Sequence, residues 1–242
     1  IGMFVPLNLI NHFLKATMFG VYGSNLLEGE FEEELHTLLQ GLLQIKKEFT
    51  HSLLNNEIPI GLITGGGPGA MEVGNRVAKK LGILSCANLV DFRDKESLSI
   101  NEQLQNPHID IKMTYRLDKL VERQAEFGLD FPIFLTGGIG TDFELLLEEV
   151  NRKVGAISPT PILLFGNEEY WKEKITHRFQ CNLKQGTIKG SQWLSNCFYC
   201  IQNAQEGLEV YKRFFTNTLP IGPKAPANDK GFVSVKKDLL QK

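Results

Sequence analysis

Short apolar runs alternate along the chain with longer stretches in which apolar residues recur every three or four positions. The short runs predict strands buried in a parallel sheet, and the longer stretches predict helices; Phe31, Leu35, Leu38 and Leu42 form one such helical series. Strands are predicted at residues 19–22, 60–64, 83–90, 109–115, 131–135 and 161–165, with an edge strand at 195–202. Helices are predicted at residues 30–51, 116–127, 142–154, 168–183 and 204–215, and from the first glycine-rich turn to residue 82.

This alternation predicts an α/β fold with a doubly wound, Rossmann-like parallel sheet. The chain has 242 residues, of which 42% are hydrophobic, and this is enough for one sizeable core. We expect a single nucleotide-binding domain over residues 1–218. Residues 219–242 contain Pro220, Pro223 and Pro226, which predict a poorly structured tail.

Composition narrows the classes of function. The net charge of −2 argues against a nucleic-acid polymer as partner, and no apolar run is long enough to predict a membrane-spanning helix. Cys197 and Cys200 have C-x-x-C spacing, but no second pair or nearby histidine completes a zinc site. Buried thiols are the main interpretation and a redox pair is the alternative, and a reducing cytoplasm is the expected location.

Two glycine-rich turns are the main candidates for chemistry. The first contains Gly65, Gly66, Gly67 and Gly69, and the second contains Gly137, Gly138, Gly140 and Thr141. Each follows a predicted strand and leads into a predicted helix. Backbone amides and the positive end of a helix meet at such a turn, which suits a phosphate group. One such turn has an equally good steric explanation, but two predict a nucleotide site at the carboxyl edge of the sheet.

Two carboxylates follow the second turn on one helix face. Glu144 lies three residues after Thr141, in the predicted first helical turn, and Glu148 lies one turn later. Compensation of the helix dipole would explain Glu144 alone. Next to a phosphate-binding turn, the alternative is contact with ribose hydroxyls or with positive charge at a sugar carbon.

Arginines and a serine complete the candidate set. Arg116 lies where a predicted strand passes into a helix, and Arg123 lies about two turns further along. Solvated helix arginines are the ordinary interpretation of both. Ser24, which follows Gly23, would either donate to a phosphate or cap the next helix.

These residues resemble the LOG family of phosphoribohydrolases, once labelled "possible lysine decarboxylases". Residues 137–144 (GGIGTDFE) resemble most of its P-G-G-x-G-T-x-x-E signature, and the first glycine turn resembles its G-G-G-x-x-G-x-M segment. Residues 22–24 resemble its first-strand G-S turn, and residues 113–116, from Met113 to Arg116, resemble its M-x-x-R segment. The resemblance covers about residues 19–188.

The resemblance implies hydrolysis of the N-glycosidic bond of a nucleoside 5′-monophosphate such as AMP, without a metal or organic cofactor. Gly138, Gly140 and Thr141 would hold the 5′-phosphate with help from the first glycine turn. Glu144 would bind the ribose and stabilise an oxocarbenium-like transition state or orient water, and Arg116 would hold the phosphosugar or assist the departing base.

The sequence departs from the family at the arginine. Thr136 replaces the usual proline, and Leu117 replaces the lysine of the family's R-K pair. The interval from Arg116 to Gly137 is longer than usual, whereas the interval from Arg123 is slightly shorter. We favour Arg116, because it keeps the strand-to-helix position, and Arg123 is the alternative.

Two other functions fit parts of the sequence. Gly65-x-Gly67-x-x-Ala70, with Asp91 at the end of the next strand, matches a dinucleotide-dependent oxidoreductase. A nucleotide-binding protein without turnover is the second alternative.

A homodimer or larger homo-oligomer is also expected, because the resemblance implies pairing through helices beside the active site. Apolar residues near the site support this expectation, with packing against the chain's own sheet as the alternative; they are Phe127, Leu146, Leu147 and Trp171.

Overall fold

The computed structural model describes residues 2–29, 31–91, 104–125 and 128–241. Within them, nine strands form one sheet in the order β1-β5-β4-β3-β2-β6-β7-β8-β9. The strands are β1 (Gly2–Phe4), β2 (Thr17–Tyr22), β3 (Ile60–Thr64), β4 (Leu84–Asp91), β5 (Ile111–Arg116), β6 (Phe131–Phe134), β7 (Ile162–Phe165), β8 (Phe198–Ile201) and β9 (Val233–Ser234). Only β1 runs antiparallel to its neighbour among these paired strands.

Helices cover both faces of the sheet. They are α1 (Ile10–Phe13), α2 (Glu32–Ile45), α3 (Ala70–Leu81), α4 (Leu120–Ala125), α5 (Ile139–Lys153), α6 (Glu168–Trp171), α7 (His177–Gln185) and α8 (Ala204–Phe215). Helices α2, α3 and α8 enclose one apolar core, whereas α5 and α6 contribute to a second core that contains Phe134 and Trp171. The predicted doubly wound α/β fold is therefore confirmed.

Several element boundaries differ from the predictions. Helix α5 begins at Ile139, three residues earlier than predicted, because Gly138 serves as its N-cap. Residues 117–119 form a 3-10 turn before α4, so the helix predicted from Arg116 begins only at Leu120. A π-helical segment, Lys172–Thr176, joins α6 to α7 within the single helix predicted from residue 168.

The carboxyl-terminal residues are not the poorly structured tail that the prolines predicted. Val233 pairs with Tyr199, which makes β9 the edge strand in place of β8. Phe232 and Val235 are buried in the two cores. The side chain of Asn196 holds the proline-rich segment, since it accepts a hydrogen bond from the Gly222 amide (2.7 Å) and donates one to its carbonyl (3.0 Å).

The strand order reverses next to β2. From β2 the chain builds β3, β4 and β5 on one side, then returns to place β6, β7, β8 and β9 on the other. In an open α/β sheet, ligands bind at the carboxyl ends of the strands beside such a reversal. The turns that follow β2 and β6 lie at this point, and the turn after β3 lies next to them.

Candidate functional site

Three turns meet at the reversal of strand order. The Ser24 amide, after β2, donates to the carbonyl of Thr136, after β6 (2.9 Å). The Ala70 amide, which ends the turn after β3, donates to the carbonyl of Ser24 (2.9 Å). The two glycine-rich turns therefore lie side by side, as the sequence predicted.

The second turn presents the start of α5. The first amides of a helix have no partner within it, and together with the helix dipole they attract anions. Gly140 and Thr141 lie in this first helical turn. Glu144 lies in the second helical turn rather than the first, so dipole compensation explains its position less well than the sequence suggested.

Tyr170 of α6 holds the same turn. Its hydroxyl donates to the Gly137 carbonyl (2.7 Å) and accepts from the Gly137 amide (3.0 Å). Lys174 then joins Tyr170 to α5, because its Nζ lies 2.9 Å from both carboxylate oxygens of Asp142 and 5.7 Å from the centre of the Tyr170 ring. One backbone amide beside the predicted phosphate site is therefore used by the chain itself.

The first turn is held mainly by internal contacts. The Gly66 amide donates to the Thr64 hydroxyl (2.9 Å), and the Gly67 amide points at the sulfur of Met71 (3.4 Å). Gly66 and Gly69 have φ values of 76° and 67°, which favour glycine. These amides are less available to a phosphate than those of α5, so the first turn supports the site more than it binds.

Two buried asparagines fix the first turn from beneath. The side-chain amide of Asn106 donates to the carbonyl of Gly67 (3.0 Å) and to the side-chain oxygen of Asn75 (3.0 Å). Asn75 also accepts from Thr64 (2.6 Å) and donates to Ser85 (3.0 Å). Neither asparagine was predicted from the sequence, since nothing in their local pattern distinguishes them from surface amides.

Arg123 of α4 is the arginine whose charge acts on Glu144. Its Nε donates to the carbonyl of Asn88 (2.9 Å), and Nη2 approaches the carbonyl of Gly65 (3.5 Å). The side chain is buried, and its charge acts on Glu144. Burial lowers the pKa of Arg123, whereas Glu144 opposes this effect.

Arg116 is not directed into the site, contrary to the preference stated above. Its side chain is 76% exposed and forms an ion pair with Asp118 (3.2 Å). The reason is the 3-10 turn at residues 117–119. Arg116 remains the last residue of β5, and the inner face of the delayed helix α4 carries Arg123 instead.

Glu144 faces α4 from the second turn of α5. Its Oε1 accepts a long hydrogen bond from the side-chain amide of Gln124 (3.4 Å). Burial is the main cause that raises the pKa of Glu144 to about 8; Arg123 and Gln124 oppose the rise, and nearby Glu148 adds to it. Gln124 was not predicted from the sequence.

Glu148 belongs to a buried network behind Glu144. Its two carboxylate oxygens accept from Tyr22 (3.2 Å) and from Arg152 (2.7 Å). Arg152 also donates to the carbonyl (3.2 Å) and the hydroxyl (2.9 Å) of Thr160. The Thr160 hydroxyl in turn donates to the carbonyl of Asp130 (2.6 Å), so the network ends in the backbone.

The remaining predicted site residues, Ser24, Gly23 and Met113, differ in their distance from the site. Ser24 accepts from the Leu26 amide (3.0 Å) in a local turn, and it does not cap the next helix, because α2 begins at Glu32 with Phe31 as its N-cap. Gly23 lies at the crossing of the turns, where a Cβ would come within 2.8 Å of Ala70. Met113 lies on β5 beside Asn88 of β4, two strands from the turn after β3.

Other chemistry is not supported within the described residues. Cys197 and Cys200 are buried, and burial raises the pKa of each thiol to about 12, which disfavours a reactive thiolate. No group of three or more metal-binding side chains is found in the part of the chain that the structure describes. No helix in that part is long and apolar enough to span a bilayer.

The first glycine-rich turn does not lie where a dinucleotide-binding turn is expected. The Gly65-x-Gly67-x-x-Ala70 turn follows β3, whereas the reversal of strand order lies between β2 and β6. A dinucleotide fingerprint is expected in the first strand-to-helix turn at that reversal. Asp91 ends β4 as predicted, and its side chain lies outside the described part of the structure.

Comparison with known proteins supports the fold. No protein-family model matches the chain, and no curated protein matches it. The structure is similar to a molybdenum cofactor binding protein from Rippkaea orientalis, with 17% identity, 83% of this chain and 98% of the other covered, and a TM-score of 0.51. It is also similar to the molybdenum cofactor carrier protein from Chlamydomonas reinhardtii, with 15% identity, 83% and 99% covered, and a TM-score of 0.52. At such identity the likeness shows a shared Rossmann-like fold.

Proposed function

We propose that the protein hydrolyses the N-glycosidic bond of a nucleoside 5′-monophosphate to give the free base and ribose 5-phosphate. The observation that carries this proposal is the placement of Glu144 beside Arg123, on the helix whose amino terminus suits a phosphate. The LOG-like signature at residues 137–144 supports the same activity.

The spacing along α5 fits a phosphosugar. Gly140 and Thr141 lie in its first turn, and Glu144 lies one turn later on the side that faces Gln124 of α4. One helical turn is about 5.4 Å long, which is comparable to the span from a 5′-phosphate to the far side of its ribose. A phosphate at the amides of Gly138, Gly140 and Thr141 would therefore bring the sugar to Glu144.

Glu144 would act on positive charge at the sugar. Hydrolysis breaks the bond between C1′ and the base nitrogen, and the bonding electrons leave with the base. Water supplies a hydroxyl group to C1′ and a proton to the base. The Glu144 carboxylate would stabilise the oxocarbenium-like transition state or orient the water.

Arg123 would orient the reacting groups. Its contacts with Asn88 and Gly65 fix the guanidinium, and its charge favours the ionised form of Glu144. A rigid arginine can also donate to a ribose phosphate or to the leaving base. The catalytic arginine is therefore assigned to Arg123 in this proposal, in preference to Arg116.

A nucleotide-like cofactor carrier without turnover is the second candidate. The two proteins of similar fold are a molybdenum cofactor binding protein and a molybdenum cofactor carrier protein. The two candidates differ in whether base is released.

We also propose that the protein forms a homodimer through α5. One face of this helix exposes apolar side chains at helical spacing; they are Ile139, Phe143, Leu146, Val150 and Val154. A continuous apolar stripe of this kind is typical of an interface. Trp171 does not belong to it, because its side chain is buried and donates to the Phe165 carbonyl (3.2 Å), and Phe127 lies outside the described residues.

The activity is tested with a panel of purine and pyrimidine nucleoside monophosphates. Free base and ribose 5-phosphate are measured by chromatography, and Glu144→Gln serves as the inactive control. The proposal requires equal amounts of both products with at least one nucleotide and a loss of about 100-fold or more in the variant. Calorimetric binding without product release from any nucleotide would favour the carrier.

A further inference from the structure

Glu148 is a buried carboxyl group that the proposed reaction does not use. Burial raises its pKa, and the contacts with Arg152 and Tyr22 oppose this rise and favour the ionised form. The group formed by Tyr22, Glu148, Arg152 and Thr160, here the Glu148 network, lies behind Glu144 on the sheet side of α5. The Arg152 side chain has no exposed surface, and that of Glu148 is 6% exposed. Isolated charges at such depth are strongly disfavoured, so the pair must be held together to persist.

We propose that the Glu148 network is a positioning device that fixes a negative charge one helical turn behind Glu144 and thereby controls when Glu144 is ionised. This inference rests on the proposed function for its catalytic meaning. Its electrostatic part concerns the protein alone.

The geometry prevents the Glu148 charge from moving. Each carboxylate oxygen has its own donor, Tyr22 on one side and Arg152 on the other. Arg152 is fixed in turn, because it also donates to the Glu148 carbonyl (3.1 Å) and twice to Thr160. The Tyr22 ring packs on Phe134 with centroids 4.8 Å apart, which fixes the hydroxyl as well. Glu148 therefore cannot turn toward solvent to relieve repulsion of Glu144.

The groups that face Glu144 act in opposite directions. Arg123 and Gln124, both from α4, favour the carboxylate. Glu148 from α5 disfavours it, and Tyr22 of β2 is hydrogen-bonded to Glu148. Burial is the largest effect and Glu148 adds to it, so that the pKa of Glu144 is raised to about 8 despite Arg123 and Gln124.

This balance has a catalytic meaning. A carboxyl group with a raised pKa in the free protein gains more interaction energy than an exposed carboxyl group when positive charge develops beside it. The gain appears mainly in the transition state, where it increases the rate rather than the binding of substrate. Two carboxyl groups in different surroundings can divide such roles, one as a fixed charge and one as the reacting group.

The test is a titration of Glu144 in the whole protein without substrate. Glutamate side chains are labelled with ¹³C at the carboxyl carbon, and Glu144→Gln identifies the Glu144 resonance. The wild-type pKa is compared with that in Glu148→Gln, where the network charge is removed. Glu149→Gln is the matched control, because this neighbouring glutamate pairs with Arg178 (2.6 Å) rather than with the network.

The expected result is a fall in the Glu144 pKa by on the order of one pH unit in Glu148→Gln. Glu149→Gln should leave it near the wild-type value. An unchanged Glu144 pKa in Glu148→Gln, or an equal fall in both variants, would overturn the proposal.

A second variant covers the case in which Glu148→Gln does not fold, since it leaves Arg152 buried without a counter-charge. Combining Glu148→Gln with Arg152→Met removes both charges. The same direction of shift is then expected but a smaller one, because the more distant positive charge is lost too. No shift in the folded double variant would contradict the proposal.

Activity gives an independent readout. If the protein hydrolyses nucleotides, the acidic limb of its pH–rate profile should move to lower pH in Glu148→Gln by the shift found in the titration. If it hydrolyses none, the proposed function fails while the titration still decides the electrostatic inference. A shifted titration with an unshifted rate profile would overturn the catalytic part.

Discussion

The guanidinium of Arg123 lies in the space that a side chain at Gly65 would need. Its Nη2 and the sulfur of Met71 are each 2.7 Å from the position of a Cβ on Gly65, which is closer than ordinary Cβ contacts, so a side chain there would displace them. The observed position of Arg123 on α4 therefore requires a glycine at position 65 of the first turn. Because Gly65 has no side chain, the guanidinium of Arg123 can lie at the end of the sheet, where its charge acts on Glu144.

Arg123→Ala should reduce turnover by about 100-fold or more, because it removes the only cation placed beside Glu144 among the described contacts. Arg116→Ala is the matched control and should retain most activity, since its side chain is exposed and paired with Asp118. Steady-state kinetics with each variant, after thermal melting has confirmed the fold, decide between them. A larger loss in Arg116→Ala would restore the assignment that the sequence favoured.

Replacing Glu144 should stabilise the protein at alkaline pH. The pKa of Glu144 is raised from 4.5 to about 8 on folding, so the folded state binds more protons than the unfolded state between these values. Stability from this group is present below pH 4.5 and is lost as the pH rises through about 8. Glutamine cannot ionise, so the Glu144→Gln variant does not lose this stability as the pH rises.

The measurement is the difference in melting temperature between Glu144→Gln and the wild type at pH 5 and pH 9. The variant should gain more at pH 9. The same difference at both pH values would mean that Glu144 has an ordinary pKa in the folded protein.

Alanine at position 137 should destabilise the protein. A Cβ on Gly137 would collide with the side chain of Thr141 and come within 3.0 Å of the Ser24 amide, whereas a Cβ on Gly140 meets nothing within 4 Å. We expect a loss of about 1–3 kcal/mol in Gly137→Ala, typical of overpacking, and little change of stability in Gly140→Ala. Urea unfolding of both variants measures this, and equal stability would refute the close packing of the turns.

A homodimer through α5 predicts a mass of twice 27.2 kDa by light scattering at micromolar concentration. Val150→Asp, which places a charge in the middle of the exposed stripe, should shift the mass toward that of one chain. Gln40→Asp is a suitable control because it adds the same charge at an exposed position of α2, on the other side of the sheet. A wild-type mass near 27.2 kDa would exclude the dimer.

Local patterns were sufficient for much of the fold and for part of the site. A strand, a glycine turn and a helix are specified by neighbouring residues, and both glycine turns lie where the sequence predicted. The shared helix face of Glu144 and Glu148 also follows from helical spacing. The start of α4 could not be predicted from the sequence, because the 3-10 turn before Leu120 has no strong local signal. In the folded chain Arg123 acts on Glu144, whereas Arg116 is exposed and paired with Asp118.

Contacts between distant residues could not be predicted from the sequence. The Glu148 network joins Tyr22 of β2 to Arg152 of α5 and Thr160, which only the folded sheet brings together. The pairing of β9 with β8 depends in the same way on Val233 reaching Tyr199. The prolines in residues 220–226 predict a poorly structured tail, but the burial of Phe232, which depends on the folded core, orders this part of the chain.

The central claim is tested most directly by comparing the release of adenine from AMP and from adenosine. The phosphate is the group that the amino terminus of α5 would hold, and two charge-assisted hydrogen bonds would contribute about 3 kcal/mol or more. We therefore expect kcat/KM for AMP to exceed that for adenosine by about 100-fold or more. Equal kcat/KM for the two compounds, or no adenine from either while other nucleoside monophosphates are also left intact, would contradict the account.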